Sequence, residues 1–184
     1  EDLALIGAEV DRCIAVLEQM SADAGRIPGE GFQRTTARGV IDGALGRLND
    51  ASRVQVDVDA DVADLALFLP TRQVSRALRG LLDNALLAAE ADVGLRVARD
   101  GDVLSFFVSD RGPGMPPDVL ARAGDPFFTT RDPGEGMGLG LYFARSLAEG
   151  LGGGLSMSST PTKGTTATLR LPISAAVEPE FRRD

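Results

Sequence analysis

Val103-Leu104-Ser105-Phe106-Phe107-Val108-Ser109-Asp110-Arg111-Gly112-Pro113-Gly114 begins as a strand and ends as a loop. Its first seven residues are rich in aliphatic and aromatic side chains that suit a pleated, buried surface. The Asp-Arg-Gly-Pro-Gly that follows cannot continue a ladder, because proline lacks the amide donor and glycine weakens an extended run. Just upstream, Val93–Arg99 has a similar apolar content, and the Asp100-Gly101 pair between the two runs is a hairpin signature. The two strands are expected to pair, leaving Asp110 where an apolar strand runs out.

Working outward, the hairpin is preceded by a long amphipathic stretch, expected to be helical from Thr71 as N-cap to about Ala91, with Leu78, Leu81, Leu82, Ala85 and Leu86 on its buried face. Before it, Val54, Val56 and Val58 alternate as in a strand, Ala66 to Leu69 reads as a second strand stopped by Pro70, and Thr36 to Asn49 reads as a polar helix. After it come a short helix at Pro117–Arg122, a helix at Leu139–Glu149, and strands at Leu155–Ser159 and Thr165–Leu171. This order predicts an α/β (α+β) two-layer sandwich, a mixed, mostly antiparallel sheet with helices on one face.

The N-terminal region is different. Leu3, Ile6, Val10, Cys13, Leu17 and Met20 recur at alternating spacings of three and four, the seam of a coiled coil or helix bundle. Pro28 and neighbouring glycines then read as a linker. The expected organisation is a heptad helix over residues 1–24, a linker over 25–34, the sandwich over 35–173 and a polar tail over 174–184. The chain opens on Glu1 rather than Met, which suggests a piece of a longer protein.

Composition narrows the classes. The net charge of −8 disfavours a basic nucleic-acid face, so no nucleic-acid partner is expected. Cys13 is the single cysteine, which excludes an intrachain disulfide and suits a reducing compartment, with the cytoplasm as the default. No apolar run approaches the roughly 18 residues that would span a bilayer. The chain contains no histidine.

Four segments carry chemistry jointly: Leu81-Leu82-Asp83-Asn84-Ala85, Asp110-Arg111-Gly112-Pro113-Gly114, Asp125-Pro126-Phe127-Phe128-Thr129-Thr130, and Gly136-Met137-Gly138-Leu139-Gly140. Asn84 is an amide among leucines in mid-helix, where it needs a partner if buried. The last segment is a glycine-rich loop entering a helix, an arrangement that turns backbone N–H groups toward phosphate oxygens. In order and spacing the four resemble the N, G1, F and G2 boxes of the GHKL superfamily, the ATP-binding fold of histidine kinases, type II topoisomerases, heat-shock chaperones and mismatch-repair ATPases. The resemblance covers Gln33 to Pro172.

That resemblance implies ATP and Mg2+ as ligands. Asp110 would accept a hydrogen bond from the adenine amino group, where guanine carries an oxygen. Gly112 and Gly114 would let the backbone approach the base, and Thr165 would support Asp110 through a water. Asn84 would give an oxygen to magnesium, a hard cation that prefers oxygen ligands. Gly136, Gly138 and Gly140 would cradle phosphates, and Phe127, Phe128, Thr130 and Arg131 would form a short lid, with Arg131 the cation best placed for a phosphate. The catalytic assignments fall on Asn84 and Arg131. Each has a plainer alternative: Asp110 as a turn residue before glycine, Thr165 as an ordinary strand residue, the two phenylalanines as core, Asn84 as a helix-to-loop tether, Arg131 as a solvated charge. Asp83, about 100° around the helix from Asn84, reads as solvated.

Departures from the pattern discriminate among family activities. Where water-activating members and serine/threonine anti-sigma kinases carry a glutamate base four residues before the box asparagine, this chain has Gly80. No proton acceptor stands there, which favours transfer to an imidazole, already a nucleophile. Many histidine kinases have a second asparagine at that position and a lysine just after the box, where this chain has Leu87 and Ala88. The heptad helix resembles the second helix of a dimerisation and histidine-phosphotransfer hairpin whose histidine-bearing first helix is missing here. The expected activity is therefore a sensor histidine kinase that passes the γ-phosphoryl of ATP to that histidine, in the same or a partner subunit of a homodimer, for relay to a response-regulator receiver domain. The alternatives are an anti-sigma kinase or other GHKL ATPase, and a module that binds nucleotide without transferring it. The Asp11-Arg12-Cys13 and Gly124-Asp125-Pro126 segments are similar to the RegB/PrrB group of redox-responsive kinases, which implies a redox role for Cys13; a small buried seam residue is the alternative.

Overall fold

The computed structural model describes residues 31–131 and 137–173. The heptad helix, Cys13, the greater part of the linker and the polar tail lie outside the described residues. The ordered chain runs β1 (Gln33–Thr36), α1 (Ala37–Leu45), β2 (Val54–Val58), β3 (Ala66–Leu69), α2 (Thr71–Ala88), β4 (Val93–Asp100), β5 (Val103–Ser109), α3 (Pro117–Arg122), α4 (Gly140–Gly150), β6 (Gly154–Thr160) and β7 (Gly164–Pro172).

Five strands form one sheet in the order β2-β4-β5-β7-β6, with β2 parallel to β4 and every other pairing antiparallel. Period-two alternation decides which face is buried. Leu95 pairs with Val108 and Val97 with Phe106. Across the next ladder, Val108 pairs with Ala167, Phe106 with Leu169 and Leu104 with Leu171. All of these are buried and join the core residues of α1, α2 and α4, so one apolar core fills the space between sheet and helices. At roughly 1.5–3 kcal/mol for each fully buried large aliphatic or aromatic side chain, this layer is the main source of stability. The two-layer sandwich expected from the strand and helix order is what forms.

The element boundaries differ from expectation in several places, among them α1, which has Thr36 as its cap and ends at Leu45 rather than at Asn49. β1 begins inside the stretch read as linker, with Gln33 opposite Leu69 and Thr36 opposite Ala66. The run Gln33-Arg34-Thr35-Thr36 has no apolar alternation, so only its pairing with β3 makes it a strand. Thr71 is the first residue of α2 and not its cap; Pro70 holds the cap position without a side-chain hydrogen bond. α2 also stops short of Ala91, at Ala88, because Arg53 Nη2 donates to the carbonyls of Ala89 and Ala91 at 2.5 and 2.9 Å. A guanidinium at a helix C-terminus satisfies carbonyls that have no intrahelical partner.

α2 occupies the centre of the helical layer. Val74, Leu78, Leu81, Leu82 and Ala85 face the core at helical spacing. Ser75, also buried, donates to the Val40 carbonyl of α1 at 2.9 Å, so the polar group is satisfied. This packing fixes where the remaining face of α2, with Asn84, points.

Candidate nucleotide site

A cavity of about 520 Å3 opens between α2, the ends of β5 and β7, α3 and the start of α4. Asn84, Asp110, Gly114, Thr130, Arg131, Gly138, Gly140 and Thr165 all line it. Eight residues from five separated segments thus meet around one space. Gly112 is not part of the lining, though its N–H bonds to Asp110, and Gly136 lies outside the described residues.

On one part of the wall, Asp110 is held by backbone. Its Oδ1 accepts from the N–H of Gly112 at 2.8 Å and from the N–H of Thr165 at 3.3 Å. Its own N–H donates to the Thr165 carbonyl at 2.9 Å. Oδ2 is left without a protein partner among the described residues. A half-buried carboxylate oriented in this way presents one acceptor atom toward whatever enters the cavity. Gly164, at φ 85°, is required here, since a Cβ would collide with the Asp110 carbonyl. Gly114, at φ 68°, passes as closely against the Thr160 carbonyl.

Ser159 ties this wall together and was not legible as a site residue. Its Oγ accepts from Met115 N–H at 2.8 Å, donates to the Gly164 carbonyl at 3.1 Å and meets Thr165 Oγ1 at 2.9 Å. One hydroxyl thereby joins β6, β7 and the loop after β5. Its partners lie 44, 5 and 6 residues away, so no local pattern could reveal them.

The other part of the wall is made of side chains. Asn84, half-buried on α2, accepts at Oδ1 from Arg131 Nη2 at 2.9 Å. Arg131 is the one cation among the described residues that line the cavity. Asp83 is paired with Arg79 at 4.0 Å and is more enclosed than a fully solvated helix-surface carboxylate. Burial raises its pKa, opposed by the positive charges of Arg79 and Arg131. Leu87, 69% exposed, stands at the rim where a lysine was expected from the family pattern.

α4 starts at Gly140 with no side-chain cap, so its first amides meet the cavity uncovered by side chains, and the positive end of the helix dipole lies there. A Cβ at Gly140 would lie 3.8 Å from Asn84 Nδ2, which brings the helix start directly beside the asparagine. Gly138, at φ 68°, packs on the backbone of Phe128, where a side chain would not fit. Phe128 lines the cavity and Phe127 does not: Phe127 has φ 64° and is 45% exposed, while Arg122 stacks on the Phe128 ring at 4.1 Å. A turn closed by Phe128 N–H on the Asp125 carbonyl decides which of two adjacent rings points inward.

A magnesium ion brought by a nucleotide could take one oxygen from this donor set. Among the described residues there is no cluster of three acidic or thiol ligands. Asn84 Oδ1 offers one oxygen, already engaged by a positive group. That suits a cation whose other ligands are phosphates and water.

Comparison with known proteins agrees with this geometry. Residues 70–175 match the family described as histidine kinase-, DNA gyrase B- and HSP90-like ATPase. The sensor protein TorS of Escherichia coli is 37% identical over 121 residues, covering 65% of this chain and 13% of TorS. The sensor histidine kinase RegB of Cereibacter sphaeroides is 30% identical over 171 residues, covering 86% of this chain and 37% of RegB. Among solved structures, the mycobacterial sensor histidine kinase MprB superposes with a TM-score of 0.64 at 26% identity, over 77% of this chain and 97% of that one. Full-length ShkA in complex with AMPPNP gives a TM-score of 0.70 at 22% identity, over 91% of this chain and 37% of ShkA, and shares the fold. The chain belongs to the histidine kinase-, DNA gyrase B- and HSP90-like ATPase family, as an ATP-binding catalytic domain of the sensor histidine kinase kind. It spans 13% and 37% of the length of the two sensor proteins compared.

Proposed function

We propose that the cavity binds Mg-ATP and that the chain donates the γ-phosphoryl group to a histidine on a phosphotransfer helix, in the same or a partner subunit, from which a response-regulator aspartate takes it. The P–O bond to the ADP leaving group breaks and a P–N bond to imidazole forms. The acceptor belongs to another segment, since this chain has no histidine. The observation that carries the reading is the Asp110 carboxylate, with one oxygen fixed by two backbone amides and the other free in the same cavity as Asn84 and Arg131.

Each residue then has a stated task. Asp110 Oδ2 accepts the adenine amino hydrogen. Gly114 and Thr165 shape the wall beside the base. The amides at the start of α4, with Gly138, Gly140 and the Gly136 backbone, receive phosphate oxygens. Asn84 would hold magnesium, which when bound neutralises charge on the phosphates. Arg131 pairs with a phosphate, and Thr130 and the aromatic segment close over the nucleotide. No proton acceptor lies at position 80, so the rate enhancement rests on positioning and electrostatics. In the intact protein the apolar spacing of residues 1–24 would pair two copies on the cytoplasmic side. Among the described residues no helix is long and apolar enough to cross a membrane.

The test is incubation with labelled ATP and magnesium, with and without a histidine-bearing phosphotransfer helix. Label is expected on that histidine and nowhere on this chain. Absence of label on the helix, with ATP binding intact, would favour a module that senses nucleotide without transferring it.

A further inference from the structure

Among the described residues, the one cation lining the cavity and the Asn84 amide oxygen suited to magnesium are bonded to each other. Arg131 Nη2 donates to Asn84 Oδ1 at 2.9 Å, and this is the only hydrogen bond the Arg131 guanidinium makes among the described residues. The guanidinium therefore stands on the atom that would ligate the metal. It is also withheld from the phosphates it would pair with.

We propose that Arg131 and Mg2+ compete for Asn84 Oδ1, so that arrival of the metal with its nucleotide releases the arginine to the phosphates. The inference rests on the reading of the cavity as a Mg-ATP site. Its physical basis is charge. A guanidinium and a divalent ion on a single oxygen repel strongly in a partly enclosed site, and the oxygen can satisfy either one. The start of α4 lies next to Asn84, so an arginine leaving the asparagine has phosphate-binding amides within the same cavity. Arg131 thus has two alternative partners, the Asn84 oxygen and, once displaced from it, a phosphate. The exchange makes metal and nucleotide binding cooperative beyond the attraction of Mg2+ for phosphate.

Two measurements on the whole chain test this. The first is the Mg2+ concentration at half-maximal binding of a fluorescent ATP analogue at fixed nucleotide. Arg131→Gln is expected to lower that midpoint about three- to tenfold, the exchange of one charge-assisted hydrogen bond. An unchanged or raised midpoint overturns the competition, because a residue that only contacts phosphate would move it that way. The second is affinity for metal-free ATP, held in chelator. Asn84→Ala should tighten it about two- to fivefold by freeing the arginine, a fraction of one hydrogen bond to a charged group. Equal or weaker binding overturns the proposal. Failure of the unmutated chain to bind the analogue at any Mg2+ concentration would instead remove the reading of the site itself. The two failures are thereby separable.

Discussion

The two parts of the cavity wall are built from different materials. Around Asp110 the contacts are backbone amides, carbonyls and glycines without room for a Cβ. At Asn84 the contact is between side chains, the amide bonded to the Arg131 guanidinium. A wall of backbone keeps its shape whether or not a ligand is present, and so can discriminate one base from another at little reorganisation cost. A wall of side chains can exchange partners, which the proposed phosphoryl transfer would require of it.

The contrast can be broken at several points. Gly164→Ala should have the largest effect, because it adds a side chain at φ 85° and drives it into the Asp110 carbonyl. A loss of about 2–4 kcal/mol is expected in urea unfolding. A loss below about 1 kcal/mol would mean the adenine wall yields easily, and the distinction between the two walls would weaken.

Asp110→Ala should separate recognition from folding. ATP affinity is expected to fall about 10- to 100-fold, the worth of one charge-assisted hydrogen bond, with a much smaller change in stability. Fluorescence titration beside denaturant unfolding checks both. Ser159→Ala comes next: loss of a hydroxyl that serves Met115 and the Gly164 carbonyl should cost about 1–2 kcal/mol in unfolding and leave the Mg2+ midpoint unchanged. A shifted Mg2+ midpoint would show that the two walls are coupled after all.

The smallest effect, of opposite sign, is expected at Gly80→Ala. A Cβ there would lie 3.7 Å from the Gly140 carbonyl oxygen, an ordinary contact. Alanine should stabilise α2 by about 0.5–1 kcal/mol without altering ATP affinity.

What the residues revealed in advance follows the same division. Asn84 among leucines, Asp110 at the end of an apolar strand and the spaced glycines before α4 each break a local pattern, and broken patterns are visible in a linear chain. The sandwich was legible for the same reason, through the alternation of β4, β5 and β7. Contacts between distant side chains were not. Nothing near Arg53 shows that it ends α2, nor anything near Ser159 that it reaches Met115. β1 is a strand only because β3 lies beside it. Phe127 and Phe128 are adjacent rings on a loop, where neither helical nor strand period says which one faces the cavity.

The most direct test of the account is calorimetric titration of the unmutated chain with ATP and with GTP in magnesium. Saturable heat with ATP and binding of GTP at least about tenfold weaker are expected, since guanine carries an acceptor where Asp110 needs a donor. Equal affinity for the two nucleotides, or no heat with either, would contradict it.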